Sequence, residues 1–431
     1  MKTNKYINWL LGAAMVVTGM SLTSCEDEPD KFELTDGNPT VHYIRTGTLA
    51  ASDSLISEAV MESLIVMVGE NLTSIREMYF NDQKAILNTS YITDHTLFVT
   101  IPKEIPNEVS DKIYMISNAG DTTTYDFHVI VPAPSVLSMS NEWAKAGEAI
   151  TINGDYFIDD PNVPLEVTFN SGKLKAEIIS FTKTSITAIV PEGAETGYVN
   201  VESIYGASRS KFQYKDVRNI LFDWDGSHGG HASGNGWRAG KIFDEDGIDG
   251  SYVRLYADNE MSGDIGGSWL EDNMCFNYWP DPDNGMEELN SRPDFANYLK
   301  TYGIANLQMK FEVRISDATP WSSSALQIIF SGNSEVTNST GNNSYYGNTS
   351  LPRGLWMPWT TNGSYDTGGN WVTISLPLSS FNKTHEGATL DETITADHMT
   401  GLTFFVWHGG VAGTTCSPVI EIDNIRVVPI E

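Results

Sequence analysis

Four stretches in the C-terminal half set aromatic rings beside prolines, amides and an arginine. They are Asn277-Tyr278-Trp279-Pro280, Thr319-Pro320-Trp321-Ser322, Ser344-Tyr345-Tyr346-Gly347-Asn348 and Arg353-Gly354-Leu355-Trp356-Met357-Pro358-Trp359, the last followed by Tyr365. A flat ring stacks on the apolar C–H face of a sugar, and amide or guanidinium groups pair with its hydroxyls. Exposed rings of this kind carry apolar surface that a soluble protein otherwise hides. Proline beside a ring stiffens the loop, so less ordering entropy is lost on binding. The candidate glycan contacts are therefore Trp279, Trp321, Trp356, Trp359, Tyr345, Tyr346, Tyr365 and Arg353. Trp224, Trp371 and Trp407 lie in strand-like runs and read as core.

Catalytic chemistry is poorly represented. A retaining glycosidase needs two carboxyl groups ~5.5 Å apart, which one strand face can supply with alternating acids. Glu421-Ile422-Asp423 begins such a pattern, but Arg426 stands where the next acid belongs. The phase of the apolar residues changes after Ile422, which predicts a bulge near Asp423-Asn424. No cysteine and histidine spacing suits zinc. His228 and His231 sit in a glycine-rich loop with no third ligand marked, and the loop lacks the lysine of a phosphate-binding motif. No cofactor is required. Asp223 and Asp423 are oxygen ligands of the kind a structural Ca2+ takes.

The elements that position these residues are short. Thr96–Ile101, Ile113–Ile116, Ile186–Val190 and Leu326–Phe330 are alternating or β-branched runs bounded by Gly, Pro, Asn or Asp. Long helical periodicity is scarce, so the chain reads as all-β. It also repeats. Gly69-Glu70-Asn71-Leu72 matches Gly154-Asp155-Tyr156-Phe157, Tyr79-Phe80-Asn81-Asp82 matches Thr168-Phe169-Asn170-Ser171, and Leu97–Pro102 matches Ile186–Pro191. A unit of this period buries its own core and is a domain. The junction Val131-Pro132-Ala133-Pro134 reads as a short stiff hinge. Residues 217–431 differ. Eight of the eleven tryptophans follow position 236, the loops are rich in Asn, Gly, Ser and Thr, and the length suits one larger sandwich.

In the second repeat Gly154, Phe157, Val167, Phe169 and Val190-Pro191 resemble the immunoglobulin-like TIG (IPT) family. The first repeat departs from that pattern at Leu72 and carries an insertion at 46–62. The predicted fold is all-β: two immunoglobulin-like TIG β-sandwiches, residues 38–132 and 133–216, followed by a larger jelly-roll-like β-sandwich, residues 217–431.

Residues 1–24 read as a signal peptide: Lys2 and Lys5, an apolar stretch from Trp9 to Gly19, and small residues before Cys25. That end resembles the lipobox of bacterial lipoproteins, which implies a lipid on Cys25. Glu26-Asp27-Glu28-Pro29-Asp30 opens an acidic tether, residues 25–37, and resembles the signal that exports lipoproteins to the outer face of the outer membrane. The formal charge of −30 argues against nucleic acid or an anionic membrane surface as partner. Cys275 and Cys416 leave a disulfide and two free thiols both open.

The later strands, with Trp371–Leu378 in the middle and Ile422–Val427 at the end, resemble jelly-roll carbohydrate-binding modules, in which a structural calcium is common. Lipoprotein leader, tandem TIG domains and an aromatic-rich C-terminal sandwich together resemble the outer-membrane surface glycan-binding proteins of starch-utilisation-like loci, especially the xyloglucan-binding type. The resemblance covers essentially the whole mature chain. It implies non-catalytic binding of a polysaccharide, a β-glucan or xyloglucan, on an aromatic platform facing the cell exterior. It also implies TIG domains acting as spacers, and a glycan importer and surface glycoside hydrolases as partners. Two other readings stand against it: a jelly-roll hydrolase, and an adhesin or stalk that binds protein.

Overall fold

The computed structural model describes residues 32–48, 54–160, 163–230, 241–256, 260–261, 274–281, 283, 285–332, 351–407 and 411–431. The chain divides into two compact units, Met1–Pro132 and Ala133–Glu431.

The first unit packs the sheet of Thr40–Thr46, Leu64–Glu70 and Thr96–Thr100 together with the sheet of Gln83–Lys84, Ile75–Phe80, Lys112–Ser117 and Thr122–Asp126. Glu58–Val60 pairs in parallel with His128–Ile130. Alternation sets the core: Met78 and Phe80 are buried while Tyr79 between them is not, and Ile113 and Met115 are buried while Tyr114 is half-buried.

Each of the two parts of the second unit has a large hydrophobic core of its own. In its immunoglobulin-like part, Ser135–Met139, Ala149–Asp155, Ser185–Ile189 and Glu177–Thr182 form one sheet, and Leu174–Lys175, Glu166–Phe169, Gly197–Ser203 and Gly206–Tyr214 the other. Both repeats use one glycine in the same way. The first strand of each shifts register, at Val41/Tyr43 and at Val136/Ser138. A Cβ on Gly69 would lie 1.9 Å from Thr40 O, and one on Gly154 would lie 1.8 Å from Ser135 O. Only glycine admits so close a backbone approach.

The larger sandwich sets Lys241–Phe243, Tyr252–Tyr256, Val419–Pro429, Leu307–Ile315 and Val372–Pro377 in one sheet, with Ile220–Phe222 pairing the long strand Val419–Pro429. The facing sheet is Cys275–Tyr278, Gly401–Trp407, Ala325–Ser331 and Gly354–Trp356. A helix, Pro293–Tyr302, starts on a proline at its first turn and buries Phe295. The long strand bulges: Lys310 pairs Arg426 and Glu312 pairs Asp423, so Asn424 and Ile425 together oppose Phe311, and Asn424 takes φ 49°.

That bulge organises the contact between the two parts of the second unit. Glu142 and Trp143 of the immunoglobulin-like part bury themselves on the outer face of the larger sheet. Arg426 donates to Glu312 at 2.8 and 3.0 Å and to Glu142 at 2.9 Å, and Lys310 donates to Glu142 at 2.5 Å. All four residues are at most 4% exposed. Thr373 bridges the two carboxylate-bearing residues: its hydroxyl donates to Glu312 Oε1 at 3.0 Å and accepts from the Glu142 backbone amide at 2.7 Å. Trp143, Ile220 and Ile248 form an apolar cluster beside it, with Trp371 packed on. Trp371 therefore corrects the sequence reading. It belongs to this junction rather than to the sandwich interior, because it precedes its strand and lies against Tyr252 and the Arg314 guanidinium. Trp224 is core, and the Trp407 side chain lies outside what is described.

Candidate functional site

Three of the predicted platform rings meet, two of them buried inside the protein. Trp321 is 0% exposed, and its indole N–H donates to Ser323 O. Its ring lies edge-on to Trp356 at 5.4 Å, and Trp356 lies edge-on to Tyr365 at 5.7 Å. The backbones of Trp321 and Tyr365 exchange two hydrogen bonds of 2.8 Å, which clips the two loops together. Trp359 is 7% exposed and donates its N–H to Ser324 O at 2.8 Å. Trp356 is 8% exposed and packs on Phe311. As placed, Trp321, Trp356 and Trp359 are core and not platform. The loops fold back over the sandwich edge, and Trp321 and Trp359 find backbone carbonyls for their N–H groups, so burial of these two leaves neither donor unpaired. Tyr365 is half-exposed, and burial of its hydroxyl raises its pKa.

Arg353 is also fully buried. Nη1 donates to Gln327 Oε1 at 2.8 Å on the outer face of the four-stranded sheet. The same face carries Asn277 and Thr403, whose hydroxyl donates to Asn277 Oδ1 at 2.8 Å. Asn277 Nδ2 and Gln327 Nε2 are buried donors with no acceptor among the described residues. Apart from Arg353 and Asn277, this stripe of amides, hydroxyl and guanidinium was not anticipated. Its residues come from three strands and the turn before a fourth, which alternation alone does not align.

Trp279 is half-buried and follows directly on strand Cys275–Tyr278. Tyr278 pairs Leu402, and Ser331 pairs Gly401, so Trp279 stands at the sheet end where Ala325–Ser331 terminates. Tyr345 and Tyr346, which follow that strand in sequence, lie outside the described residues, as does Cys25. Among the described residues, Trp279 is the predicted tryptophan that keeps exposed surface, and Asn277 two residues earlier carries the amide stripe towards it.

The carboxylates of the last strand are structural. Glu421 is held by Arg254 at 2.7 Å and by Arg314, and Arg426 is consumed in the ion network. Asp423 and Asp223 are 1% and 2% exposed. Asp223 accepts from the amides of Gly226 and His228 at 2.8 Å each. Asp249 joins them: His228 Nδ1 lies 3.7 Å from Asp223 and 3.6 Å from Asp249. Burial, then the Asp249 charge, pushes Asp423 well above the usual carboxylate range. Its Oδ2 and Asn424 Oδ1 are buried with no partner at hydrogen-bond geometry among the described residues. Among the described residues, no three His, Cys, Asp or Glu side chains converge as a metal would need. Cys275 and Cys416 are not joined in a disulfide; Cys275 is buried and Cys416 half-buried. No helix among the described residues is long and apolar enough to cross a membrane.

Comparison with known proteins agrees with this architecture. Residues 214–429 match the family model of the surface glycan-binding protein B xyloglucan binding domain. Residues 134–214 match the IPT/TIG domain. The crystal structure of a surface glycan-binding protein B from Prevotella bryantii is 38% identical, covers 92% of this chain and 100% of its own, and superposes with a TM-score of 0.78. An IPT/TIG domain-containing protein of Bacteroides ovatus is 27% identical over 236 residues, 50% of this chain and 47% of the relative, so the chain spans about half the length of that curated relative. The fold is thus that of a surface glycan-binding β-sandwich protein. The chain belongs to the surface glycan-binding protein B family.

Proposed function

We propose that the chain captures a neutral β-glucan, xyloglucan or a close relative, and releases it uncut to degradation and uptake. The match of residues 214–429 to a xyloglucan-binding domain carries this reading. The absence of cleavage is supported by the last strand, where Glu421 is neutralised by two arginines and Asp423 is buried. Neither is free to act as nucleophile or acid in an open site. Trp279 is the ring we assign to stacking, with Asn277, Gln327 and Arg353 behind it and Tyr345 and Tyr346 as further candidates. A lipid on Cys25 would hold the protein on the outer membrane, beside the importer and hydrolases that share its glycan. A structural calcium on Asp223 and Asp423 is a finer proposal, supported by Asp423 Oδ2 and Asn424 Oδ1, which are buried with no hydrogen-bond partner among the described residues.

Affinity electrophoresis of residues 26–431 through gels of xyloglucan, mixed-linkage β-glucan, laminarin, mannan and starch tests the reading. Retardation in a β-glucan gel without released sugar supports it. Released oligosaccharides would show a hydrolase, and free migration in every gel would favour a protein-binding adhesin.

A further inference from the structure

The first immunoglobulin-like unit carries a feature its repeat partner lacks. Tyr79 and Tyr114 are direct partners across antiparallel strands, both half-buried on the outer face. The equivalent ladder pair in the second repeat is Thr168 and Asn200. The two ladders share strand order and landmarks, so the fold itself does not require rings at this place.

The tyrosines line a cleft of about 370 Å3 with Ile116, Asn81, Asp82 and Glu108. Ladder partners set Cβ atoms ~5 Å apart, so the two rings stand side by side on one face of the sheet. The Tyr79 hydroxyl donates to Glu77 at 2.8 Å, which fixes its ring. Lys84 Nζ stands 5.8 Å from the centre of that ring, on a long exposed side chain. The rim is ordered too. Asp82 accepts from Asn107 N and Nδ2 and from Gln83 Nε2, at 2.9 to 3.1 Å. Asn81 Oδ1 accepts from the amides of Ser110 and Asp111. Glu77, Asp82 and Glu108 outnumber Lys84 and Arg76, which both pair with Glu77, and Lys112 is matched by Asp126, so the surround is weakly acidic and suits a neutral ligand whose hydroxyls donate.

We propose that this tyrosine-floored cleft is a second contact for the same neutral glycan chain. The proposal rests on the glycan-binding reading above. It makes the first unit a low-affinity hand on a long polymer rather than a spacer. Two weak sites on one polymer bind as an avid pair, while a short oligosaccharide occupies each alone.

The test compares the mature chain with the variant Tyr79→Thr/Tyr114→Asn, which installs the pair the second repeat already accommodates. Calorimetric titration uses xyloglucan polymer and a xyloglucan heptasaccharide. The expected result is about a tenfold loss of affinity for the polymer, unchanged heptasaccharide affinity at the tighter site, and recovery of polymer binding in Tyr79→Phe/Tyr114→Phe. Equal polymer affinity at equal Tm overturns the proposal. If the Thr/Asn variant unfolds, Glu108→Lys at the exposed rim takes its place: the same loss is expected, and unchanged polymer affinity overturns the proposal equally. A wild-type chain that binds neither xyloglucan, mixed-linkage β-glucan nor mannan refutes the glycan reading itself, a result distinct from wild-type binding that the variant leaves intact.

Discussion

Substituting Arg426 by alanine tests how the second unit is held together. The guanidinium makes two hydrogen bonds to Glu312 and one to Glu142, and is 0% exposed. Its loss leaves two buried carboxylates facing Lys310 alone. Removing one member of a buried ion pair costs about 3–5 kcal/mol, chiefly through the charge left uncompensated. At ~2–4 °C per kcal/mol for a unit of this size, Tm should fall by about 10 °C. Differential scanning calorimetry of residues 26–431 reads this directly. Glu142→Gln, made from the immunoglobulin-like side, should lower the same transition, because Glu142 and Arg426 share one network. Replacing Glu142, Glu312, Lys310 and Arg426 together by leucine or methionine should recover most of the loss, since no charge is then stranded. A fall of less than ~2 °C in Arg426→Ala would refute the reasoning. So would a quadruple variant no more stable than the single one.

Other outcomes follow from the same structure. Trp279→Ala should weaken glycan binding by ~1–3 kcal/mol with Tm unchanged, whereas Trp321→Ala should cost ~3–5 kcal/mol of stability, read by urea unfolding. Burial pushes Glu312 up to about 7 against the opposing pull of Arg426, from an ordinary value of 4.5. The folded state then binds this proton more tightly than the unfolded one, so stability is fullest below about 4.5 and falls as pH rises to about 7. Glu312→Gln should remove that part of the slope in Tm measured against pH. Gly154→Ala should destabilise the second repeat by more than ~2 kcal/mol, because Ser135 O occupies the place of the new methyl. If calcium fills the Asp223 and Asp423 cluster, calcium chloride raises Tm and EGTA reverses it, and Asp423→Asn abolishes the difference.

The all-β class was legible because its signal is local. Alternating β-branched runs between turn residues fix strands wherever they occur. The shared glycine of the two repeats was legible for a similar reason: Gly69 and Gly154 each open a matching landmark. The bulge at Asn424 announced itself by a change of phase between Ile422 and Ile425. The rings of the site were harder. A tryptophan beside a proline looks the same whether its loop opens to solvent or folds inward. What decides is a distant acceptor such as Ser324 O for Trp359. The ion network left no trace at all. Glu142, Glu312 and Arg426 are separated by more than a hundred residues each and look like ordinary surface charges. The tyrosine pair became visible only when the ladder showed which residue of one strand faces which of the next.

The buried network also sets what can be exchanged as a module. Lys310 and Arg426 belong to the larger sandwich, and half of their counter-charge, Glu142, belongs to its neighbour. A cut near residue 216 separates two cations from one of their two anions and uncovers Ile220 and Ile248, which Trp143 had roofed. The portable binding cassette therefore begins at residue 133. A graft of the last sandwich alone inherits an unbalanced face, and the TIG domain travels with it as its electrostatic lid.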